Sequence, residues 1–268
     1  MQTSRLTFAV LLSSLLVACE DPSKGVPPAA VGSAKPAATA TAKATVAATA
    51  TPTGTAAASA AAGTLAKMPA KPDGAVEISP PASKIAWTGS KVTGKHDGSF
   101  EKWNGWISMP DDKPENAKFA FEIDVASLKS DDPKLEAHLR TDDFFSTDKH
   151  PKATFVSTEI KPGGDKGATH TITGNLNMRG VEKAVTFPAT IKVTADKVTA
   201  NSEFSINRKD WGIVYEGKKD DLIRDGVVVK LDLSADRPKK AAAGATAAPG
   251  GAAAPAKATA AATAAPAK

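Results

Sequence analysis

The chain has 268 residues, with 34 Lys and Arg, 29 Asp and Glu, and a formal net charge of +5. The charge is uneven: residues 77–238 hold 24 basic and 26 acidic side chains, and all other positions together hold 10 and 3. The foldable part therefore has no basic excess to support nucleic-acid binding. A single cysteine excludes an internal disulfide and any cysteine-cluster metal site.

Residues 1–18 read as a signal peptide. Arg5 gives a positive start, and Leu6 to Val17 is an apolar run too short to span a bilayer, which takes ~20 residues. Leu16-Val17-Ala18-Cys19 resembles the lipobox of bacterial lipoproteins. That resemblance implies acylation of Cys19 and a lipid-anchored protein of the bacterial cell envelope facing the periplasm, on either the inner or the outer membrane. With more than one acyl chain such an anchor is stable.

Residues 19–74 are then a lipid-anchored low-complexity linker, which from about Val26 to Met68 is almost entirely Ala, Thr, Pro, Ser and Gly. Such a stretch buries too little apolar surface to offset ordering entropy, so disorder is the default expectation. As a flexible coil of ~45 residues it spans ~35–40 Å. Residues 239–268 form a second Ala/Pro/Lys tail of the same kind. Its sparse lysines read as solvated, with contact to anionic cell-wall polymer as the alternative.

The folding unit is residues 75–238, long enough for one domain with a real core. Apolar residues alternate with a period of two in KFAFEIDV (118–125), HTITGNLNM (170–178), AVTFPATIKV (184–193) and VVVKLDL (227–233). Weaker alternations occur at 84–92, 99–109, 152–160 and 198–207. These predict about eight antiparallel strands with one apolar face each. Short turn-bearing connections such as PDDKPEN favour closure into a barrel over a sandwich. The fold class is thus all-β: an eight-stranded antiparallel barrel with one short helix, flanked by disordered Ala/Pro/Thr-rich tails. Glycines 89, 105 and 174 fall in phase with the apolar face and would leave space inside. A barrel of this size is either filled by its own side chains or holds one small ligand.

The helix signal lies in SDDPKLEAHLR (130–140), where Asp131 or Asp132 caps, Pro133 opens the first turn, and Leu135 and Leu139 share a face. It leads into DDFFSTDKHP, whose His138, Asp142, Asp143, Asp148 and His150 have the composition of a metal site. Adjacent Phe144 and Phe145 cannot both face one core from a strand. At a turn between helix and strand both become a hydrophobic latch, with the acids capping the turn. No Gly-x-Ser-x-Gly elbow occurs, and the histidines at 96, 138, 150 and 170 lack metalloprotease spacing, so no enzyme is expected.

Four blocks in order resemble the YceI-like family: SKIAWTGSKVTGKHDGSFEKWNGWI (83–107), HLRTDDFFSTDKHPKATFVST (138–158), GNLNMRGVEKAVTFP (174–188) and FSINRKDWGI (204–213). The first strand, in PPASKIAW, departs from the family's usual opening. The resemblance implies a lipocalin-like barrel whose lumen takes a polyisoprenoid or quinone-like lipid, without chemistry on it and without a cofactor or metal. Lumen candidates are then Trp87, Phe119, Phe121, Phe144, Phe145, Ile172, Leu176, Phe187, Ile191 and Phe204. Arg179, Lys183 and Arg208 are candidates for meeting a polar head. A tethered member suits a carrier, scavenger or store. The alternative is a non-enzymatic envelope interaction protein with a solid barrel core. A homodimer is compatible with either.

Overall fold

The computed structural model of the protein describes residues 20–34 and 67–237. The expected signal peptide, Cys19, the middle of the expected linker and the C-terminal tail lie outside the described residues.

In chain order, β1 (Ala30–Ser33) and β2 (Val76–Ile78) precede a hairpin of β3 (Lys84–Lys91) and β4 (Gly94–Phe100). After a bend, β5 (Trp103–Ser108) pairs with β6 (Lys118–Asp124). A short 3-10 turn, Val125–Ser127, carries the chain into β7 (Leu128–Ser130) and then into α1 (Pro133–Leu139). The antiparallel run β8 (Lys152–Pro162), β9 (His170–Met178), β10 (Val181–Val193) and β11 (Lys197–Asn207) follows. A small hairpin of β12 (Gly217–Lys218) and β13 (Asp221–Leu222) leads to the last strand, β14 (Gly226–Asp236).

One antiparallel sheet curls through the order β2-β5-β6-β8-β9-β10-β11-β14-β3-β4-β7. β2 also lies against β14, which draws the two halves of the sheet around a shared interior. Seven of the eight expected runs form strands, and further strands add to them. The run 99–109, expected as one strand, breaks at Glu101–Lys102. There the backbone changes partners, with Ser127 Oγ accepting from Lys102 N at 2.9 Å and Lys102 O accepting from Asp124 N at 2.9 Å. β4 carries too few apolar residues for its pattern to register as a strand; it is held by backbone pairing to β3 and β7.

The middle of the barrel is filled by rings. Phe155 stacks on Phe119 and on Phe121 at 5.3 Å each, and it meets Phe187 at 5.7 Å. Phe187 lies flat on Phe204 at 4.2 Å and 11°. Gly174 permits this arrangement: a Cβ there would collide with the Phe155 ring and with the Val156 carbonyl. The space expected at this in-phase glycine is therefore occupied by its neighbour's ring. Each buried aromatic removes ~150–250 Å² from water, so the stack dominates the core energetics.

Residues 20–34, part of the expected linker, belong to the barrel instead. β10 pairs with β9 over 181–189, yet it pairs with β11 only over 190–193. Beyond that point the two strands diverge and leave open edges. β1 fills the gap, pairing Ala30–Ser33 with residues 183–186 of β10. On the other side Ala29 N donates to Ser205 O at 2.8 Å, and Ser205 N donates to Pro27 O at 2.9 Å. Ala29 and Val31 pack on the core. Upstream, Asp21 pairs with Arg224 at 3.1 Å. Composition misleads here because strand addition is driven by backbone hydrogen bonds and needs little from the side chains.

Candidate functional site

A cavity of about 510 Å³ opens at one end of the barrel, within the usual ~300–1,000 Å³ range of ligand sites. Trp87 of β3, Phe100 of β4 and Leu135 of α1 form one wall. Phe144 and Phe145 close a second side, and Ile206, Val227 and Val229 from β11 and β14 form the floor. Ile213, Tyr215 and Ile223, from the chain between β11 and β14, complete the rim. Toward the opposite end of the barrel interior, a pocket against Phe119, Ile172 and Ile191 measures about 30 Å³.

Local sequence explains each wall. Trp87 lies flat over Gly98 on the paired strand, where a Cβ would overlap its indole ring and the Lys129 carbonyl. Its Nε1–H is buried and has no acceptor among the described residues. The helix α1 begins where Asp132 Oδ1 accepts from Lys134 N at 2.8 Å, and Pro133 fits its first turn. Arg140 fastens its other end, donating to Ala126 O at 3.0 Å and to Leu128 O at 2.9 Å.

The double phenylalanine sits in a turn, as expected, so strand alternation does not apply. Phe144 packs with Leu128, Leu139 and Ile213, while Phe145 meets Phe100 edge-on at 6.3 Å. His138 stands edge-on to both Phe144 and Tyr215 at 5.0 Å, and its Nε2 contacts Asp143 at 2.9 Å. Asp142 is engaged by Ser146 and by Lys149, the latter at 2.6 Å. Among the described residues no three His, Cys, Asp or Glu side chains converge as a metal site. These acids fasten a turn.

Of the lumen candidates, Trp87, Phe144 and Phe145 line the large cavity. Phe119, Phe121, Ile172, Phe187 and Phe204 are buried in the central core, with Leu176 and Ile191 packed against it. The three cationic candidates have structural partners. Arg179 donates to Gly212 O, and to Asp142 O at 2.7 Å; Lys183 lies 3.7 Å from Asp210. Arg208 reaches the cavity wall but is only 3% exposed. Its guanidinium donates to Ile213 O at 2.7 Å, Arg224 O at 3.1 Å and Ile223 O at 3.3 Å, and it pairs with Asp225 at 3.3 Å. Burial pulls this guanidinium below its usual value, with Asp225 opposing. The rim residues Ile213, Tyr215 and Ile223 escaped sequence reading because the segment between β11 and β14 has no periodicity.

Asp221 ties the rim together. It accepts from Lys91 Nζ at 2.5 Å, from Thr93 Oγ1 at 2.9 Å and from Thr93 N at 3.1 Å, joining the β3–β4 turn to the β12–β13 hairpin. The Lys91 hydrogen bond, helped by Thr93 and opposed by burial, holds its carboxyl below the ordinary carboxylate value. A depressed carboxyl contributes stability that is fully present above its unfolded value, about 3.9, and is lost as pH falls through the folded value. Acidification below about pH 4 is therefore expected to loosen the rim before the barrel body. Amide exchange at Val92 and Thr93 reads this directly, and Asp221→Asn should remove the step; a step that persists in Asp221→Asn assigns it to another group.

Comparison with known proteins follows the same outline. The family model for the YceI-like domain matches residues 77–235. A UPF0312 protein of Pseudomonas putida strain F1 is 33% identical over 149 residues, covering 53% of this chain and 73% of that protein. The UPF0312 protein of Pseudomonas fluorescens strain SBW25 matches to the same extent. Among solved structures, Burkholderia cenocepacia BcnA gives a TM-score of 0.49 at 24% identity, covering 57% of this chain and 95% of its own. The polyisoprenoid binding domain from Saccharophagus degradans implicated in plant cell wall breakdown gives 0.49 at 17%, covering 62% and 99%. Because the matched span takes in nearly every strand that builds the barrel and more than half of the 268 residues, this protein belongs to the YceI-like domain family.

Proposed function

We propose that this protein is an envelope lipoprotein, anchored through acylated Cys19, whose barrel holds an isoprenoid or quinone-like lipid in the end cavity as a carrier, scavenger or store. The observation that carries the reading is the cavity itself, large and walled mainly by aromatic and aliphatic side chains. Burial of apolar ligand surface is worth ~0.8 kcal/mol per methylene, so a handful of buried groups already supports useful affinity. The packed ring stack limits how deep a chain reaches, so the site suits one end of a lipid rather than a chain threaded through the barrel. The unpartnered Trp87 Nε1–H offers a donor to a ligand oxygen, relieving the cost of a buried unsatisfied group. Binding of this kind needs no catalytic group.

Two measurements test the reading. Organic-solvent extraction of the purified protein, followed by mass spectrometry, is expected to recover a near-stoichiometric isoprenoid or quinone. An empty extract with no saturable uptake of offered isoprenoids overturns lipid binding and favours the solid-barrel interaction protein. For the anchor, an alkyne fatty acid fed to the producing bacterium should enter the wild-type chain and not Cys19→Ser. Equal labelling of both excludes Cys19 as the acylated residue.

A further inference from the structure

We propose that the open end of the cavity is a bilayer-docking surface, so that the apolar chamber faces the membrane carrying the protein. The proposal rests on the lipoprotein reading for its occupant and on three features of the fold. The first is where apolar surface remains in water. Among the described residues the exposed large hydrophobics are Val92, Val214 and Leu222, at 53%, 62% and 46% exposure. None of them lines the cavity itself, but each adjoins lining residues: Val92 follows Lys91, and Leu222 lies between Asp221 and Ile223. Val92 N donates to Leu222 O at 3.1 Å, and Val214 stands between the rim residues Ile213 and Tyr215. Exposed hydrophobics scattered singly are ordinary; their confinement to one rim marks an interaction surface.

The second feature is charge. Lys91, Lys134, Lys218 and Lys219 on or beside this rim are offset in number by Asp132, Glu216, Asp220 and Asp221. A near-neutral ring with protruding aliphatic tips suits shallow insertion at the interface of a bilayer, with little call on anionic headgroups.

The third feature is the start of the described chain. Asp21 is paired to Arg224, itself a cavity-lining residue. Two Cα–Cα steps of ~3.8 Å span at most about 8 Å, which bounds the reach of an anchor attached two residues before Asp21. Acyl chains on Cys19 would thus enter the bilayer beside the rim. Residues 20–34 clasp the barrel instead of paying out as a tether, and the domain sits on the membrane instead of floating above it.

The test uses the full lipidated chain in vesicles of phosphatidylethanolamine and phosphatidylglycerol, read by amide hydrogen exchange. Residues 92–94 and 213–223 are expected to exchange about tenfold more slowly than in a Val92→Asp, Val214→Asp, Leu222→Asp variant in the same vesicles. The loops at 109–117 and 163–169 should exchange alike in both. Omitting phosphatidylglycerol should change little. Equal rim exchange in the two proteins overturns the proposal, as does protection at the opposite loops. Rim protection that grows with protein-to-lipid ratio assigns the surface to a second copy of the chain and also overturns it. Lipid extraction from the same samples separates the two readings. Cavity lipid without rim protection removes docking alone, and rim protection with an empty cavity removes lipid binding alone. Failure of fatty-acid labelling at Cys19 removes the anchor and the docking proposal with it.

Discussion

Replacing Arg208 by Ala is expected to cost ~3–5 kcal/mol of stability, the lower part of the range for leaving three buried carbonyls without a donor at ~1–3 kcal/mol each. Three backbone carbonyls, those of Ile213, Ile223 and Arg224, would lose their donor, while Asp225 would keep only its 3.0 Å pair with Lys209. At ~2–4 °C of melting temperature per kcal/mol for a domain of this size, the loss is about 6–20 °C. Arg208→Lys should recover only a minor part, since one ammonium cannot serve carbonyls spread around a planar fork. The damage should concentrate between residues 208 and 225, which form the cavity rim, so extracted lipid should fall along with stability. A variant melting within a degree or two of wild type would mean that water or a neighbour readily replaces the guanidinium.

Phe155→Ala is the second large expectation, at ~3–5 kcal/mol for deletion of a buried aromatic. Phe155 touches Phe119, Phe121 and Phe187, so its removal takes out the centre of the stack. Gly174 sits directly beneath the ring and offers no side chain to fill the hole. Denaturant unfolding measures the loss, with an unchanged m-value if the fold is retained. If the ring stack sets the depth of the lipid site, this variant should also take up longer isoprenoids than wild type. A cost below ~1 kcal/mol would mean that the neighbouring rings collapse inward and that the stack is not a rigid floor.

Much of the architecture was legible because its strands alternate. Phe119, Phe121 and Ile123 face inward from β6, and Val185, Phe187 and Ala189 from β10, as a period of two requires. The helix was legible from Asp132, Pro133 and its two leucines, and the latch from a pair of rings that no strand accommodates. What escaped reading is held by backbone. β4 and β1 have few apolar residues, and their pairing is visible only once β3, β7 and the β10–β11 gap exist in space. For the site, inward-pointing residues could be named, but alternation does not say which rings touch each other. Trp87, Phe144 and Phe145 border a cavity, while the remaining aromatics of the same pattern fill one another's gaps. Arg208 looked like a free cation at a strand end; only the return of the 213–225 segment around it makes it a structural centre.

The wedge of residues 27–33 also sets an order of events. Its docking partners on β10 lie about 150 positions further along the chain, so contact order places its closure late. Nothing upstream of β10 and β11 can hold it, and loop-closure entropy disfavours its capture until both strands stand in register. During biogenesis, then, the start of the described chain stays accessible while the barrel assembles. A protease added during refolding should therefore cut within residues 27–33 until the seam forms, and completion of the seam withdraws that backbone from attack.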